Sequence, residues 1–172
     1  MKYLLDGEES DRLLFRAILM FDFEEWIPFF QTPETSKHWI STKDEPEVEC
    51  TKWYTRQFER YRNNEGGMNA LIDKTACRLI GHCGLLKQTV DNKSEIEIAY
   101  SLLSAFWNSG YATEAAKRCR DFAFKNNLSK SLISIISLTN IQSEKVAIKV
   151  GMTLDKTTIY GENKVNIFRI NN

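Results

Sequence analysis

The sequence predicts an α/β fold of the α+β type: a mixed, mostly antiparallel central sheet of about seven strands flanked by helices. Three observations predict it. Aromatic and apolar residues recur at helical spacing over Glu47 to Asn63, and the period then changes to strand-like alternation from Met68 onward. Ser131 to Leu138 (SLISIISL) is apolar on both faces, as a central strand covered on both sides should be. The 172 residues, 42% hydrophobic and 12% aromatic, suffice for one packed core, so a single domain over residues 1–172 is expected.

The elements follow in order. Arg12 to Arg16 is strand-like. Phe21 to Phe30 reads as a short aromatic helix stopped near Pro28, because proline removes a helix donor. In Glu47 to Asn63, Trp53, Gln57 and Arg60 alternate with Tyr54, Phe58 and Tyr61, which puts aromatics on one face; Lys52, Arg56 and Arg60 form a row read as solvated. Met68 to Asp73, Arg78 to Gln88 and Glu95 to Leu103 form an antiparallel meander turned at Asp73 to Thr75 and at Asp91 to Lys93. A helix follows from about Ala112 to Asn126, with Ala112, Ala115, Ala116, Cys119, Phe122 and Ala123 as its apolar stripe. Thr139 to Val150 is the last helix; Thr139 and Gln142 fit a capping box, and Gly151 fits the C-terminal stop. Strands at Thr153 to Tyr160 and Lys164 to Ile170 finish the chain.

Charge and composition exclude several functions. The 23 basic residues balance the 23 acidic ones, so the broad positive field of a phosphate-backbone binder is missing and no nucleic-acid partner is expected. No stretch approaches the roughly 18–20 apolar residues of a membrane span, and the N-terminus turns acidic before any secretory apolar run develops. A cytoplasmic protein without a membrane partner is expected. Cys50, Cys77, Cys83 and Cys119 show no zinc-like spacing and read as buried thiols, so no metal site is expected. Oligomeric state is not legible.

The most informative segment is Trp107-Asn108-Ser109-Gly110-Tyr111-Ala112-Thr113-Glu114-Ala115, between a strand and a helix. A helix N-terminus offers unpaired N–H groups and the positive end of the helix dipole, which together attract an anion. Gly110 permits positive φ and close approach, and Ala112 is too small to obstruct it. A glycine before a helix also serves an ordinary turn, so spacing alone leaves both readings open.

This segment, with Glu97-Ile98-Ala99-Tyr100 before it, resembles the acetyl-CoA motif of the GNAT N-acetyltransferase superfamily, and is most similar to its RimJ/RimL-like branch of ribosomal-protein N-terminal acetyltransferases. Asp11 to Arg16, Leu79 to Leu85, Asn140 to Ser143 and Lys149 to Met152 resemble further stretches of that branch. The resemblance implies the GNAT fold, acetyl-CoA as cofactor and a primary amine as acceptor. It implies that Asn108, Ser109, Gly110, Tyr111, Ala112 and Thr113 hold the pyrophosphate, and that Leu102 and Leu103 offer main-chain groups to the pantetheine arm and one donor to the oxyanion. Asn108-Ser109 stands where the branch has Gly-Lys, which removes a cation beside the phosphates. The superfamily's leaving-group tyrosine falls at Ala147.

Direct attack of an amine on the thioester needs a proton acceptor, an oxyanion donor and help for the departing thiolate. Glu97, on the strand expected to splay beside the cofactor, is the expected base, with Glu95 of the same strand parity as the alternative. Ser143 is the expected partner of the thiolate, either as acid or as a hydrogen-bond donor, or it satisfies a backbone group. Asn140 either bonds the cofactor amide or caps its helix. His38 and His82 have no ligand or base partner at suitable spacing. Phe21, Phe23, Trp26, Phe29, Phe30 and Trp39 are core or acceptor-pocket wall. A protein N-terminal α-amine is the first expectation for the acceptor, a polyamine or aminoglycoside the second, and a non-catalytic acyl-CoA-binding module the reading from another class.

Overall fold

The computed structural model describes residues 2–38 and 44–172. In chain order the elements are β1 (Leu13–Ala17), α1 (Phe23–Gln31), α2 (Pro33–Ser36), α3 (Pro46–Arg62), β2 (Gly66–Asp73), β3 (Arg78–Val90), β4 (Lys93–Leu102), α4 (Tyr111–Lys125), β5 (Ser131–Ser137), α5 (Ile141–Val150), β6 (Thr153–Tyr160) and β7 (Asn163–Asn171). The seven strands form one sheet in the order β1-β2-β3-β4-β5-β7-β6. Every neighbouring pair is antiparallel except β4 and β5, which run parallel. Trp39 lies outside the described residues.

Side-chain alternation along β4 divides the core. Ile96, Ile98 and Leu102 pack with α4 and α5, while Ala99 and Leu103 pack with α1 and α3 on the opposite face. α4 presents Ala115, Ala116, Cys119 and Ala123, small residues that bring it close enough for Cys119 Sγ to lie 3.5 Å from Cys83 Sγ of β3. The other face is aromatic: Trp26 is fully buried, stacks on Phe29 at 4.4 Å and leans on Trp53 at 5.7 Å. Truncating Trp26 to alanine would cost about 3–5 kcal/mol from lost burial and the cavity left.

Several local expectations are corrected. Pro28 sits inside α1. It forfeits one helical hydrogen bond, but Trp26 and Ile27 are buried on the turn before it, and their packing carries the helix on to Gln31. Cys77 is exposed rather than buried, since it belongs to the β2–β3 turn that Asp73 caps by accepting the N–H groups of Thr75 and Ala76. The α5 cap is Asn140, whose Oδ1 accepts the Ser143 N–H at 3.1 Å; Thr139 stands one residue outside the cap. Arg60 is not a solvated member of a basic row: it turns inward to donate to the Lys87 carbonyl (3.1 Å) and Gln88 Oε1 (3.2 Å).

Candidate active site

The sheet opens at its centre. β4 and β5 share one register pair, Glu97 with Ile133, and then diverge. Just beyond it the Ile98 carbonyl accepts from the Ser134 hydroxyl at 2.8 Å instead of from a strand partner. The β3–β4 ladder shows which main-chain groups face the gap. Leu103 N–H donates to the Ile80 carbonyl at 3.0 Å, and hydrogen-bonded pairs alternate along an antiparallel ladder. Residues 99, 101 and 103 therefore spend their groups on β3, whereas Tyr100 and Leu102 direct theirs at the gap. The Leu102 carbonyl is taken by Trp107 Nε1 at 2.8 Å, and the Leu103 carbonyl by Phe106 N–H at 3.0 Å. This corrects the expectation for Leu103, whose main chain is fully engaged. Leu102 keeps its N–H, and Tyr100, which the sequence did not single out, offers both groups.

At the far end of β4 stands the loop from Trp107 to Gly110. Gly110 takes φ +83 and precedes α4 directly. Among the described residues no side chain caps α4, and the N–H groups of Tyr111, Ala112 and Thr113 point out of its first turn without a partner there. A Cβ on Gly110 would find only Arg12 Nη2, at 3.5 Å, so the space over the glycine is open. Asn108 also takes positive φ, and Ser109 Oγ turns back to the Trp107 carbonyl at 3.3 Å. The loop is held from outside by Arg12. Its Nη1 donates to the Ser109 carbonyl (3.1 Å), its Nε to Glu114 (2.7 Å), and its guanidinium lies 4.0 Å from the centre of the Tyr111 ring. Arg12, paired with Glu114, thus places a guanidinium beside the loop from the segment preceding β1. The Tyr111 hydroxyl points away from the anion site, to Asp73 at 2.7 Å, leaving only its amide for a ligand.

Glu97 lies where the strands part, on the α1–α3 face. It is 9% exposed. Its Oε2 accepts from Gln88 Nε2 at 2.7 Å, and the Ile135 N–H of β5 is turned toward the carboxylate and favours its charged form. Burial pushes its carboxyl up from the usual range, against the lowering effects of Gln88, Ile135 and the Arg60 charge. Glu95 is placed differently: Arg169 binds both its oxygens, at 2.8 and 3.1 Å, and holds it in an ion pair. Of the two carboxylates, Glu97 is the one without a cation on it.

Across the gap stands α5. The Ser143 hydroxyl is half-buried and makes no hydrogen bond among the described residues, so it satisfies no backbone group. The Ser143 carbonyl accepts from the Tyr100 hydroxyl at 2.7 Å, which ties β4 to the first turn of α5. Asn140 spends its oxygen on the cap, leaving its amide nitrogen for a ligand. Ala147 is fully buried and brings no acid to this wall.

The histidines fall on either side. His82 is completely buried between Trp26 (4.2 Å) and Trp53 (4.7 Å), and neither ring nitrogen has a partner among the described residues. Burial pushes its pKa well down, which keeps it neutral. His38 reaches Thr139 with Nδ1 at 2.9 Å, and Thr139 lies 3.2 Å from the Ser137 hydroxyl. On the α1 side of the sheet, a hollow of about 280 Å³ is lined by Glu25, Pro28, Arg78, Leu103, Ser104 and Phe106. Phe21 is 67% exposed, while Phe23, Phe29 and Phe30 pack against the aromatic core.

Comparison with known proteins agrees with this geometry. Residues 12–153 match the family model described as an acetyltransferase (GNAT) domain, and the chain belongs to the GNAT acetyltransferase family. It is 30% identical over 131 residues to the uncharacterized protein YkkB of Bacillus subtilis (strain 168), covering 74% of this chain and 73% of that one. Its fold is similar to the acetyltransferase from Agrobacterium tumefaciens, with a TM-score of 0.79 at 22% identity over 95% of this chain and 93% of the other. It is also similar to Mycobacterium smegmatis RimJ in complex with CoA-disulfide, with a TM-score of 0.75 at 16% identity over 92% and 81% of the two chains. No helix among the described residues is long and apolar enough to cross a membrane.

Proposed function

We propose that this protein transfers the acetyl group of acetyl-CoA to a primary amine, with the α-amine of a protein or peptide as its preferred acceptor. The observation that carries the proposal is Glu97: a buried carboxylate that no cation pairs with among the described residues, at the point where β4 and β5 separate.

Two observations support the fit of the cofactor. The uncapped first turn of α4 beneath an open, left-handed Gly110 suits a pyrophosphate, with Arg12 alongside. The gap-facing groups of Tyr100 and the Leu102 N–H suit the amides of an extended pantetheine arm. When bound there, acetyl-CoA supplies the acetyl thioester that an amine attacks. In this reading Asn108 to Thr113 hold the pyrophosphate, mainly through the amides of Tyr111, Ala112 and Thr113. The Asn140 amide nitrogen donates to the arm, and the unengaged Ser143 hydroxyl donates to the departing sulfur. Of the Tyr100 and Leu102 N–H groups, the one that the arm leaves free is the oxyanion donor within reach of the gap. Glu97 takes the proton of the incoming ammonium, directly or through one water. Its raised proton affinity makes it a better base than an exposed carboxylate.

The acceptor follows from proton chemistry. An α-amine loses its proton at about pH 7.7–8.0 and a lysine at about 10.4, so a carboxylate base serves the former far more readily. RimL, a ribosomal L7/L12 alpha-N-protein acetyltransferase similar to this chain in fold, points the same way. The test is thiol release with short peptides bearing a free N-terminus, set against the same peptides blocked there and carrying lysine. Faster turnover of the free N-termini is expected. Turnover of spermidine or an aminoglycoside above every peptide would overturn the acceptor assignment.

A further inference from the structure

The environment of Glu97 contains a device that the reaction chemistry alone does not call for. Gln88 of β3 stands opposite Glu95 in the ladder, one step diagonally from Glu97 on the same face. Its side-chain amide is engaged at both ends. Nε2 donates to Glu97 Oε2 at 2.7 Å, while Oε1 accepts from the Tyr160 hydroxyl at 2.9 Å and from Arg60 Nη2 at 3.2 Å. A glutamine amide has two orientations of nearly equal shape, related by a half-turn. Here they are not equal in energy. The flipped amide would aim its oxygen at the Glu97 carboxylate and its NH₂ at the Arg60 guanidinium, losing those two hydrogen bonds and gaining repulsion at both ends; only Tyr160, whose hydroxyl can also accept, could pair with it again. Arg60 is itself fixed by its bond to the Lys87 carbonyl, so the lock is anchored to the backbone of β3.

We infer that Gln88 is a positioning residue for the Glu97 carboxylate, held in its donating orientation by Tyr160 of β6 and Arg60 of α3. The inference rests on the reading of Glu97 as the base. Its consequence is twofold. The Gln88 donor fixes which lone pairs of Glu97 remain free for the amine, and it keeps the buried carboxylate ionised at a lower pH than burial alone would allow. The other groups around Glu97 are few. Ile135 N–H reaches it from β5, the Arg60 charge acts from α3, and Tyr100 and Tyr160 are neutral phenols whose pKa burial raises. Glu95, on the same face, is neutralised by Arg169 of β7, which also binds Asp155 of β6. None of these donates to Glu97 from a side chain, so no neighbour replaces Gln88.

The test compares wild type with Gln88→Leu and Tyr160→Phe. The Glu97 carboxyl is titrated by carbon-13 NMR, and the pH dependence of kcat is followed with one peptide acceptor. The amine contributes the same ionisation to every profile, so differences belong to the enzyme. Gln88→Leu should move the Glu97 midpoint and the acid limb of kcat upward together, by about one pH unit. Tyr160→Phe, which keeps the fold and only loosens the lock, should move both in the same direction by less. A Glu97 midpoint unmoved in both variants would overturn the inference. A midpoint that moves while the kcat profile does not would instead overturn Glu97 as the base and leave the positioning contact standing.

Discussion

The Tyr111 hydroxyl donates to Asp73 Oδ2 at 2.7 Å, joining the first residue of α4 to the end of β2. The other oxygen of the same carboxylate accepts Thr75 N–H (3.0 Å) and Ala76 N–H (2.7 Å). One side chain therefore fixes the β2–β3 turn and the entrance of α4 at once. The Ala76 N–H, followed by the Tyr111 hydroxyl, holds the Asp73 carboxyl below the usual carboxylate range. A folded-state pKa below the unfolded value of about 3.9 means stability that is present above that pH and lost as pH falls through the lowered pKa. Asp73→Asn should therefore melt below wild type at pH 7, and the gap between the two melting temperatures should narrow as pH falls below the unfolded value of about 3.9. A gap that stays constant through that fall would show that the carboxylate charge contributes nothing.

Gly110 is the loop residue whose conformation a side chain cannot share. At φ +83 a β-branched residue is strained, and its branches would enter the open space assigned to the pyrophosphate. Gly110→Val should lower acetyl-CoA affinity at least tenfold in a calorimetric titration, with the circular dichroism spectrum retained. Gly110→Ala should lose less, because its Cβ meets only Arg12 Nη2, at 3.5 Å.

Arg12 and Glu114 should behave as a coupled pair at this site. Arg12→Ala removes the cation and leaves the Glu114 charge uncompensated, though still held by the Ser10 hydroxyl and the residue-12 N–H, so affinity should fall by about tenfold at low salt. Glu114→Gln in that background should restore part of the loss. Simple addition of the two single effects in the double variant would refute the coupling.

What was legible in the sequence followed from local rules. Alternation gave the meander, a run apolar on both faces gave β5, and Gly110 and Gly151 marked a helix start and a helix stop, both with positive φ. Contacts between distant residues had no such signature. Arg12 meets Glu114 across 102 positions and Tyr160 meets Gln88 across 72, and nothing in the spacing of either residue announces its partner. Arg60 looked solvated because helical periodicity shows which side faces the sheet, not where a long side chain ends. Thr139 and Asn140 both suit a helix cap, and the choice fell to Asn140 because the chain enters the helix one residue later. Leu103 was misjudged through ladder parity, which depends on which strand pairs carry the hydrogen bonds and is fixed only once the register is known.

Glu97 and Ser143 should separate kinetically. Glu97→Gln should lower the rate at pH 7 by roughly 10²–10⁴-fold, with part of it recovered at higher pH as the amine loses its proton unaided. Ser143→Ala should lower kcat by about tenfold while acetyl-CoA affinity stays within twofold, because the hydroxyl is assigned to the departing sulfur rather than to the bound arm. Wild-type turnover of Glu97→Gln at pH 7 would clear that residue of the role.

Amine-dependent release of thiol from acetyl-CoA is the most direct measurement of the central claim. It is best followed for the wild-type protein over a panel of free-N-terminus peptides, lysine peptides, spermidine and an aminoglycoside, with the acetylated amine identified by mass spectrometry. The account predicts thiol release that rises with amine concentration and matches, mole for mole, the acetylated amine formed. Tight binding of acetyl-CoA with no release above background for any amine would contradict it, and would mark the chain as an acyl-CoA-binding module.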